Sequence, residues 1–187
     1  MKQIIKYIKS DFYRHKGRVR SFGFLFLYAC FGRNHSFSYS FWLRLASRKS
    51  IFYPLAVVIH NHLSVKYGVY IPKETKIGYG FFIGHCSGII INGNTVIGNN
   101  CNISQFLTIG SNHGTPAVIG DNVYIGPSVC LVEDVVIGDE VTIGAGAVVV
   151  KSVPPHTTVV GVPARAVNMD RPGRYVLNRY NSVQSEV

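Results

Sequence analysis

An aliphatic residue returns at every sixth position through the middle and the C-terminal half of the chain, and glycine or another small residue usually follows it. A period of six fits neither an α-helix, with about 3.6 residues per turn, nor a long alternating strand. It is typical of a solenoid, in which short strands alternate with tight corners and each coil buries its aliphatic residues against the next. The repeated positions are Ile77, Ile83, Ile91, Ile97, Ile103, Ile109, Ile119, Ile125, Leu131, Ile137, Ile143 and Val149.

Two interruptions break this repeat. The step widens to eight residues after Ile83 and to ten residues after Ile109. The longer gap predicts that residues 111–117 bulge outward as a loop, and insertions in solenoids often carry function. A histidine lies within or beside each interruption, namely His85 and His113.

The chain divides into a helical N-terminal region, a solenoid and a polar C-terminal tail, with predicted bounds 1–66, 67–167 and 168–187. Within the first part, the hydrophobic pattern and the glycines that punctuate it predict helices over residues 1–20, 40–49 and 55–66. The repeat stops at a Pro-Pro pair, and we expect the tail to be partly helical or extended and poorly ordered at its end.

The N-terminal region is strongly basic. Residues 1–66 hold 12 Lys and Arg against a single acid, Asp11, and 14 of the aromatic residues, whereas the rest of the chain is close to neutral. Basic helices rich in aromatic side chains suit a cap that packs on the first coil, and they also suit contact with an anionic membrane surface. No recognised nucleic-acid motif accompanies the charge, so nucleic-acid binding is not expected.

The remaining composition favours a cytoplasmic protein, peripheral at the inner face of the membrane if residues 1–66 contact lipid. The four cysteines are far apart and form no CxxC pair, so free thiols are expected. The apolar runs 22–31 and 51–59 fall short of the ~20 residues that a membrane-spanning helix needs, and neither is a convincing signal sequence. His60 and His62 lie two apart on a predicted helix, where side chains diverge, so they do not indicate a metal site.

Four segments resemble a known family: Lys76–Gly80, Gly84–Gly88, Asn102–Gly110 and Val153–Arg165. Over about residues 64–167 the chain resembles the hexapeptide-repeat acyltransferases. It is most similar to serine O-acetyltransferases and to relatives that O-acetylate sugars of bacterial polysaccharides. The resemblance implies a mainly β fold, a left-handed parallel β-helix behind an N-terminal α-helical segment. It further implies a homotrimer, acetyl-CoA as co-substrate and no metal.

The resemblance implies that His85 is the catalytic base, and an imidazole suits that task because its ordinary pKa is about 6.5. His113 is the competing base, since some sugar and antibiotic acetyltransferases associate their catalytic histidine with an outward loop. His156, in the Pro-Pro-His turn, is expected to shape the CoA end of the site. The implied cofactor contacts are Gly110, Pro127, Ala145, Val150, Lys151 and Arg165, and the implied substrate contacts are Gln105 and Gly84.

Small residues at the CoA positions would let the pantetheine arm approach the backbone, and Lys151 and Arg165 offer charge to its phosphates. Two departures from the family pattern concern the acceptor. Serine acetyltransferases carry an aspartate directly before the catalytic histidine, where this chain has Gly84. A second aspartate orients that histidine, and Tyr70 takes its place here. We therefore expect an acceptor other than serine, and an imidazole oriented by a backbone carbonyl or by Glu74.

These observations predict an O-acetyltransferase that acts on a glycan acceptor, a sugar hydroxyl in bacterial surface-polysaccharide biosynthesis. A serine O-acetyltransferase of cysteine biosynthesis is the alternative. A non-catalytic hexapeptide scaffold is an alternative of another class. A γ-type carbonic anhydrase is disfavoured because three suitably placed zinc-binding histidines are not visible.

Overall fold

The computed structural model of the chain describes residues 1–169 and 173–181. The predicted disorder at the end of the tail concerns residues 182–187, which lie outside the described residues. The N-terminal region consists of four helices: α1 (Lys2–Lys16), α2 (Phe22–Phe31), α3 (His35–Ala46) and α4 (Tyr53–Tyr67). None of the helices within the described residues is both long and apolar enough to span a membrane.

Helix α3 is the centre of the helical region. Every residue from Ser36 to Ala46 is buried, and α1, α2 and α4 all pack against this helix. The core between them is largely aromatic, and the rings of Phe12 and Phe37 meet edge to face with their centroids 5.1 Å apart. The aromatic residues of the N-terminal region thus build a core of their own beside the solenoid.

Three helices differ from the sequence prediction. Helix α1 ends at Lys16, four residues before the predicted end, because Gly17 adopts a left-handed conformation with φ 63° and caps it. Helix α2 was not predicted, because its residues are apolar on every side and show no helical period. Helix α3 begins five residues before the predicted start, since the Asn34 side chain caps it by accepting a hydrogen bond from the Phe37 N–H at 2.9 Å. It ends at Ala46, before the predicted end.

The rest of the described chain forms short strands. They are β1 (Lys76–Ile77), β2 (Phe82–Ile83), β3 (Ile90–Ile91), β4 (Val96–Ile97), β5 (Asn102–Ile103), β6 (Thr108–Ile109), β7 (Val118–Ile119), β8 (Tyr124–Ile125), β9 (Cys130–Leu131), β10 (Val136–Ile137), β11 (Thr142–Ile143), β12 (Val148–Val149), β13 (Thr158–Val160) and β14 (Arg165–Asn168).

The strands stack into three sheets, which are the faces of a parallel β-helix. Face 1 has the order β1-β4-β7-β10, face 2 the order β2-β5-β8-β11-β13-β14, and face 3 the order β3-β6-β9-β12. Neighbouring strands are parallel except that β14 runs antiparallel to β13. Each complete coil therefore gives one strand to each face, as the six-residue period predicted.

From β2 to β12 the second residue of each strand is buried inside the solenoid, and on face 2 these residues are completely buried from one coil to the next. Glycine follows several of them because the next coil lies too close for a side chain. A Cβ added to Gly78 would lie 2.7 Å from the carbonyl oxygen of Gly98. The inward column on face 2 consists of Ile83, Ile103, Ile125 and Ile143.

Buried polar groups fasten the helical region to the first coil. The Arg44 guanidinium donates to the Asp11 carboxylate at 2.8 and 3.1 Å and to the carbonyl oxygen of Ile77 at 2.8 Å. Asp11 also accepts the Phe81 N–H at 2.8 Å. We call the residues Ser10, Asp11, Arg14 and Arg44, which all bond to the first coil or to each other, the helix–solenoid seam.

The described part of the C-terminal tail packs back onto the solenoid. Tyr180 is buried, and its N–H donates to the Asn100 side chain at 2.9 Å. Arg179 donates to Glu140 at 2.8 Å, and Arg14 of the seam donates to the carbonyl oxygen of Leu177 at 2.8 Å. The tail thus connects the last coils to α1.

We expect the substitution Asp11→Asn to lower the free energy of unfolding by about 3–5 kcal/mol, because it leaves the buried Arg44 charge without its partner. Thermal or urea unfolding of the full chain measures this loss. The control is Glu74→Gln, which removes an exposed ion pair with Lys73 and should change stability by less than about 1 kcal/mol. Equal stability of the two variants would show that the seam is not a major source of stability.

Candidate active site

His85 lies at the corner where face 2 passes into face 3, which we call the His85 corner. The Gly84 N–H donates to the carbonyl oxygen of Ile103 at 2.8 Å, so the backbone before the histidine is fixed by the next coil. The His85 side chain is exposed, and within residues 1–169 and 173–181 its ring nitrogens have no hydrogen-bond partner. An imidazole in this position is open to a substrate hydroxyl group.

Three other predicted site residues stack on the His85 corner in the following coils. Backbone hydrogen bonds join the column, with the Ser128 N–H donating to the carbonyl oxygen of Gln105 at 2.9 Å and the Gly146 N–H to that of Pro127 at 2.8 Å. The Gln105 amide oxygen is buried and accepts no hydrogen bond within the described residues. The stacked residues are Gln105, Pro127 and Ala145.

A second set of predicted residues lies at another corner, where face 3 passes into face 1, which we call the His113 corner. Gly110 follows β6 and leads into the loop that carries His113, while Val150 and Lys151 follow β12. Within one chain, therefore, the structure does not bring His113 to His85.

The loop of residues 111–117 is held by one carboxylate. Glu133, from the next coil, accepts hydrogen bonds from the backbone N–H groups of Asn112, His113 and Gly114 at 2.7, 2.9 and 3.1 Å. These hydrogen bonds, foremost that from His113, lower the pKa of Glu133 to about 2. This contact could not be predicted from the sequence, because the two segments meet only through the stacking of coils.

A cavity of about 600 Å³ opens beside His85, between the helical region and the solenoid, and we call it the His85 cavity. The structure adds residues to it that the sequence did not indicate, because they come from the helices. The Tyr67 hydroxyl hydrogen-bonds His35 Nδ1 at 2.9 Å on its wall. Its lining consists of Lys16, Tyr28, Arg33, Asn34, His35, Ser36, Tyr67, Gly84, His85, Cys86 and Ser87.

The expected carboxylate partner of His85 is not found in this cavity. Glu74, which was considered for that role, forms an ion pair with Lys73 and lines other cavities. Tyr70 likewise lies outside the His85 cavity, beside α4. Gly84 does line it. No Asp or Glu of the described residues lines the wall around His85.

Cys86, next to His85, is the nucleophilic side chain closest to it in sequence. Burial raises the pKa of the Cys86 thiol to about 12. The thiol is therefore protonated at neutral pH and is a poor nucleophile. This favours direct use of the imidazole as a base over an acyl-cysteine intermediate.

The residues at the two corners fit a long anionic co-substrate. Ala145 and Gly146 are exposed, and a Cβ on Gly146 would meet nothing within 4 Å, so an extended chain has room against the backbone. Lys151, at the His113 corner, and Arg165, the first residue of β14, are exposed and form no ion pair within the described residues. Arg165 Nη1 donates to the carbonyl oxygen of Ala164 at 3.2 Å, and its other N–H groups and Lys151 are open to phosphate groups.

Two other histidines that the sequence analysis considered, His60 and His156, lie next to polar groups of the fold. His60 is buried in α4 and hydrogen-bonds the Tyr39 hydroxyl at 3.1 Å. His156 adopts a positive φ of 61° in its turn, and its Nδ1 lies 3.8 Å from Glu140. Within the described residues there is no group of three or more side chains that could hold a metal ion.

Comparison with known proteins identifies related enzymes. Residues 116–151 match the family model described as bacterial transferase hexapeptide (six repeats). The serine acetyltransferase of Escherichia coli K12 is 34% identical over 136 residues, which cover 69% of this chain and 50% of that protein. The chain thus spans half the length of this curated relative.

Solved structures of serine acetyltransferases are similar to this chain over a larger part of its length. The crystal structure of Neisseria gonorrhoeae serine acetyltransferase in complex with serine aligns with a TM-score of 0.71 and 31% identity, covering 89% of this chain and 70% of that one. A serine acetyltransferase in complex with CoA aligns with a TM-score of 0.66 and 28% identity, covering 89% and 70%. These alignments include the helical region, and they confirm the predicted fold.

We expect Glu133→Gln to speed amide exchange at Asn112, His113 and Gly114 about tenfold, because neutral hydrogen bonds replace charge-assisted ones. Amide hydrogen exchange followed by NMR measures this effect. The folded pKa of Glu133, about 2, lies below its ordinary value of 4.5. The wild-type loop should therefore keep full protection above pH 4.5 and lose it as the pH falls towards 2.

The control for the loop experiment is Glu140→Gln, which removes an acceptor of Arg179 and touches no loop residue. Unchanged exchange in Glu133→Gln, or equal acceleration of the loop in both variants, would show that Glu133 does not hold the loop.

Proposed function

We propose that this chain, which belongs to the bacterial hexapeptide transferase family and has serine acetyltransferases as homologues, transfers an acetyl group from acetyl-CoA to a hydroxyl group. The observation that carries the proposal is the exposed imidazole of His85, whose ring nitrogens are open towards a cavity large enough for a substrate. The small residues and free cations of the neighbouring positions supply room and charge for CoA.

In the proposed reaction, His85 takes the proton of the acceptor hydroxyl as its oxygen attacks the acetyl carbonyl carbon. The new C–O bond forms, the C–S bond breaks, and the CoA thiolate leaves and is protonated. Acetyl-CoA supplies the activated acyl group. The protonated thiol of Cys86 supports transfer in one step, without a covalent enzyme intermediate.

Two acceptors are candidates. The relatives named above are serine acetyltransferases, which favours serine over the sugar of a bacterial surface polysaccharide that the sequence led us to expect. The cavity favours the sugar hydroxyl, since Gly84 stands before the histidine and no carboxylate of the described residues lines the wall to bind an amino group. The similarity to serine acetyltransferases supports serine as the acceptor. The residues that line the cavity support an acceptor that is not an amino acid.

We also propose a homotrimer. His85 and His113 lie at different corners of one solenoid, so both can serve one site only if a second copy contributes one of them. In that arrangement Gly110, Val150 and Lys151 of one copy would join Pro127 and Ala145 of another along the same CoA molecule.

The helical region is proposed to contact the surface of an anionic membrane, in a protein that resides in the cytoplasm. Phe24, Leu27 and Phe31 follow one side of α2 and are 45%, 59% and 83% exposed. The single acid of residues 1–66, Asp11, is buried against Arg44, so this part of the surface is positive. Apolar side chains surrounded by cations are what an anionic lipid surface attracts. The four free cysteines fit a reducing compartment.

We expect His85→Ala to lower acetyl transfer at least about a hundredfold, the loss typical of a missing general base. Release of the CoA thiol from acetyl-CoA, with L-serine or a panel of sugars as acceptor, measures the rate. The control is His62→Ala, which removes an exposed histidine of α4. Near-normal turnover in His85→Ala together with an inactive His113→Ala would move the base to His113. No CoA binding in calorimetry would favour the scaffold alternative.

We expect Leu27→Glu/Phe31→Glu to lower the partition coefficient onto phosphatidylglycerol vesicles at least tenfold, because two apolar anchors become charged. Vesicle co-sedimentation measures it. Binding of the wild type should also fall with added salt and be weak on phosphatidylcholine. The control is Leu177→Glu, an exposed residue of the tail. Equal binding of the double variant and the wild type would overturn the assignment of α2 as the contact.

A further inference from the structure

The residues that line the His85 cavity indicate the size and the charge of the acceptor. The cavity holds about 600 Å³, within the roughly 300–1,000 Å³ typical of pockets for ligands much larger than a single small amino acid. Its walls come from all four helices, namely the ends of α1 and α4, α2 and the start of α3 with the link between them, and from the first coil after β2. The acceptor therefore lies between the helices and the solenoid.

The cavity has two cations and no anion on its walls. Lys16, the last residue of α1, and Arg33, between α2 and α3, both line it and are exposed. Neither forms an ion pair within residues 1–169 and 173–181. Asp11, the one acid of residues 1–66, is buried against Arg44 and does not neutralise them. Both side chains are therefore available to a ligand with negative charge.

The neutral groups around the cations are mainly hydrogen-bond donors or aromatic. The side-chain oxygen of Asn34 already accepts the Phe37 N–H that caps α3. The Tyr67 hydroxyl is paired with His35. Helix α3 begins at this wall whereas α1 and α4 end there, so the helix dipoles oppose one another and the charge of the wall comes from Lys16 and Arg33. An ammonium group would meet no carboxylate here.

A second basic cavity, of about 370 Å³, lies where α3 meets the first coil and shares no lining residue with the His85 cavity. There Arg44 pairs with Asp11 and Lys73 with Glu74, while Arg48 donates to the neutral Gln3 side chain and Lys76 has no ion pair within the described residues. This cavity is not lined by His85 or His113. Of these two cavities, the one beside His85 therefore combines unpaired cations with a candidate base.

We infer that the acceptor carries a phosphate group, and that Lys16 and Arg33 bind this group while His85 deprotonates a hydroxyl of the same molecule. The substrate class is a phosphorylated hydroxyl compound of at least the size of a sugar phosphate. A phosphate dianion matches two cations, and the planar guanidinium of Arg33 can bind two of its oxygens. This inference rests on the proposed acetyl transfer and specifies its acceptor, and it disfavours serine, whose ammonium group finds no partner.

The first experiment measures phosphate binding without requiring the natural acceptor. Inorganic pyrophosphate is titrated by calorimetry into the full chain, with CoA present at saturation so that the phosphate contacts of CoA are occupied. We expect Lys16→Gln/Arg33→Gln to bind pyrophosphate at least about tenfold more weakly than the wild type. Lys16→Arg/Arg33→Lys should restore binding to within a few fold, and higher salt should weaken it.

The matched control is Lys2→Gln, which removes a cation from the other end of α1, about 21 Å away along the helix. It should leave pyrophosphate binding within twofold of the wild type. Since Lys16, Arg33 and Lys2 are all exposed, none of these variants should alter the melting temperature. Absence of pyrophosphate binding, or equal binding in the wild type and Lys16→Gln/Arg33→Gln, would overturn the inference.

The second experiment separates this inference from the proposed function. Thiol release from acetyl-CoA is followed with glucose 6-phosphate, glucose and L-serine as acceptors, with and without pyrophosphate. A phosphate-bearing acceptor should react with a higher kcat/KM than its neutral counterpart, and Lys16→Gln/Arg33→Gln should raise its KM more than it lowers kcat. Pyrophosphate should compete with the acceptor.

The two ideas fail in different ways. Transfer to glucose 6-phosphate with the same kcat/KM as to glucose, affected neither by pyrophosphate nor by the double variant, would contradict the phosphate site and leave the acetyltransferase intact. Pyrophosphate binding through Lys16 and Arg33 without acetyl transfer to any acceptor tested would support the anion site and count against the reaction.

Discussion

The buried ion pair between Asp11 and Arg44 is the constraint on which the arrangement of this molecule depends. Each charge is costly to bury, and the cost is offset only because every partner is in place. Arg44 gives its remaining donors to carbonyl oxygens of the first coil, and Asp11 accepts a backbone N–H from Phe81. The pair therefore fixes α1 and α3 to each other and both helices to the solenoid at one point.

That point is a few residues before His85 along the chain. Gly80 bonds to Ser10 and Arg14 of α1, and β2 and Gly84 follow directly. Because α1 is fixed at Ser10 and Arg14, its last residue, Lys16, is carried to the wall of the His85 cavity. The start of α3 is brought to the same wall. The cavity is thus a consequence of the seam: one wall belongs to a coil and the others to helices held against it.

The sequence predicted the solenoid well because the six-residue period is a local property. The spacing of the inward isoleucines and the glycines that follow them marks each strand and each corner. The loop at residues 111–117 could therefore be placed without knowledge of distant contacts. Helix α2 was missed because a segment apolar on all sides has no period to detect. Gln105, Pro127 and Ala145 were named because the family resemblance implied them, whereas their stacking above His85 and the role of Glu133 needed the register between coils.

The cavity walls could not be predicted for a related reason. The position of Lys16 and Arg33 depends on how four helices pack, and the pattern of residues 1–66 indicated only that this region is basic. The division of the molecule into a solenoid and a helical region also bears on function. In the proposed function, the solenoid supplies the base and the positions for acetyl-CoA. In the further inference, the helical wall supplies the charges that an acceptor meets. An enzyme built this way can keep its reaction while its acceptor changes, because residues such as Lys16 and Arg33 can differ without altering a single contact between coils.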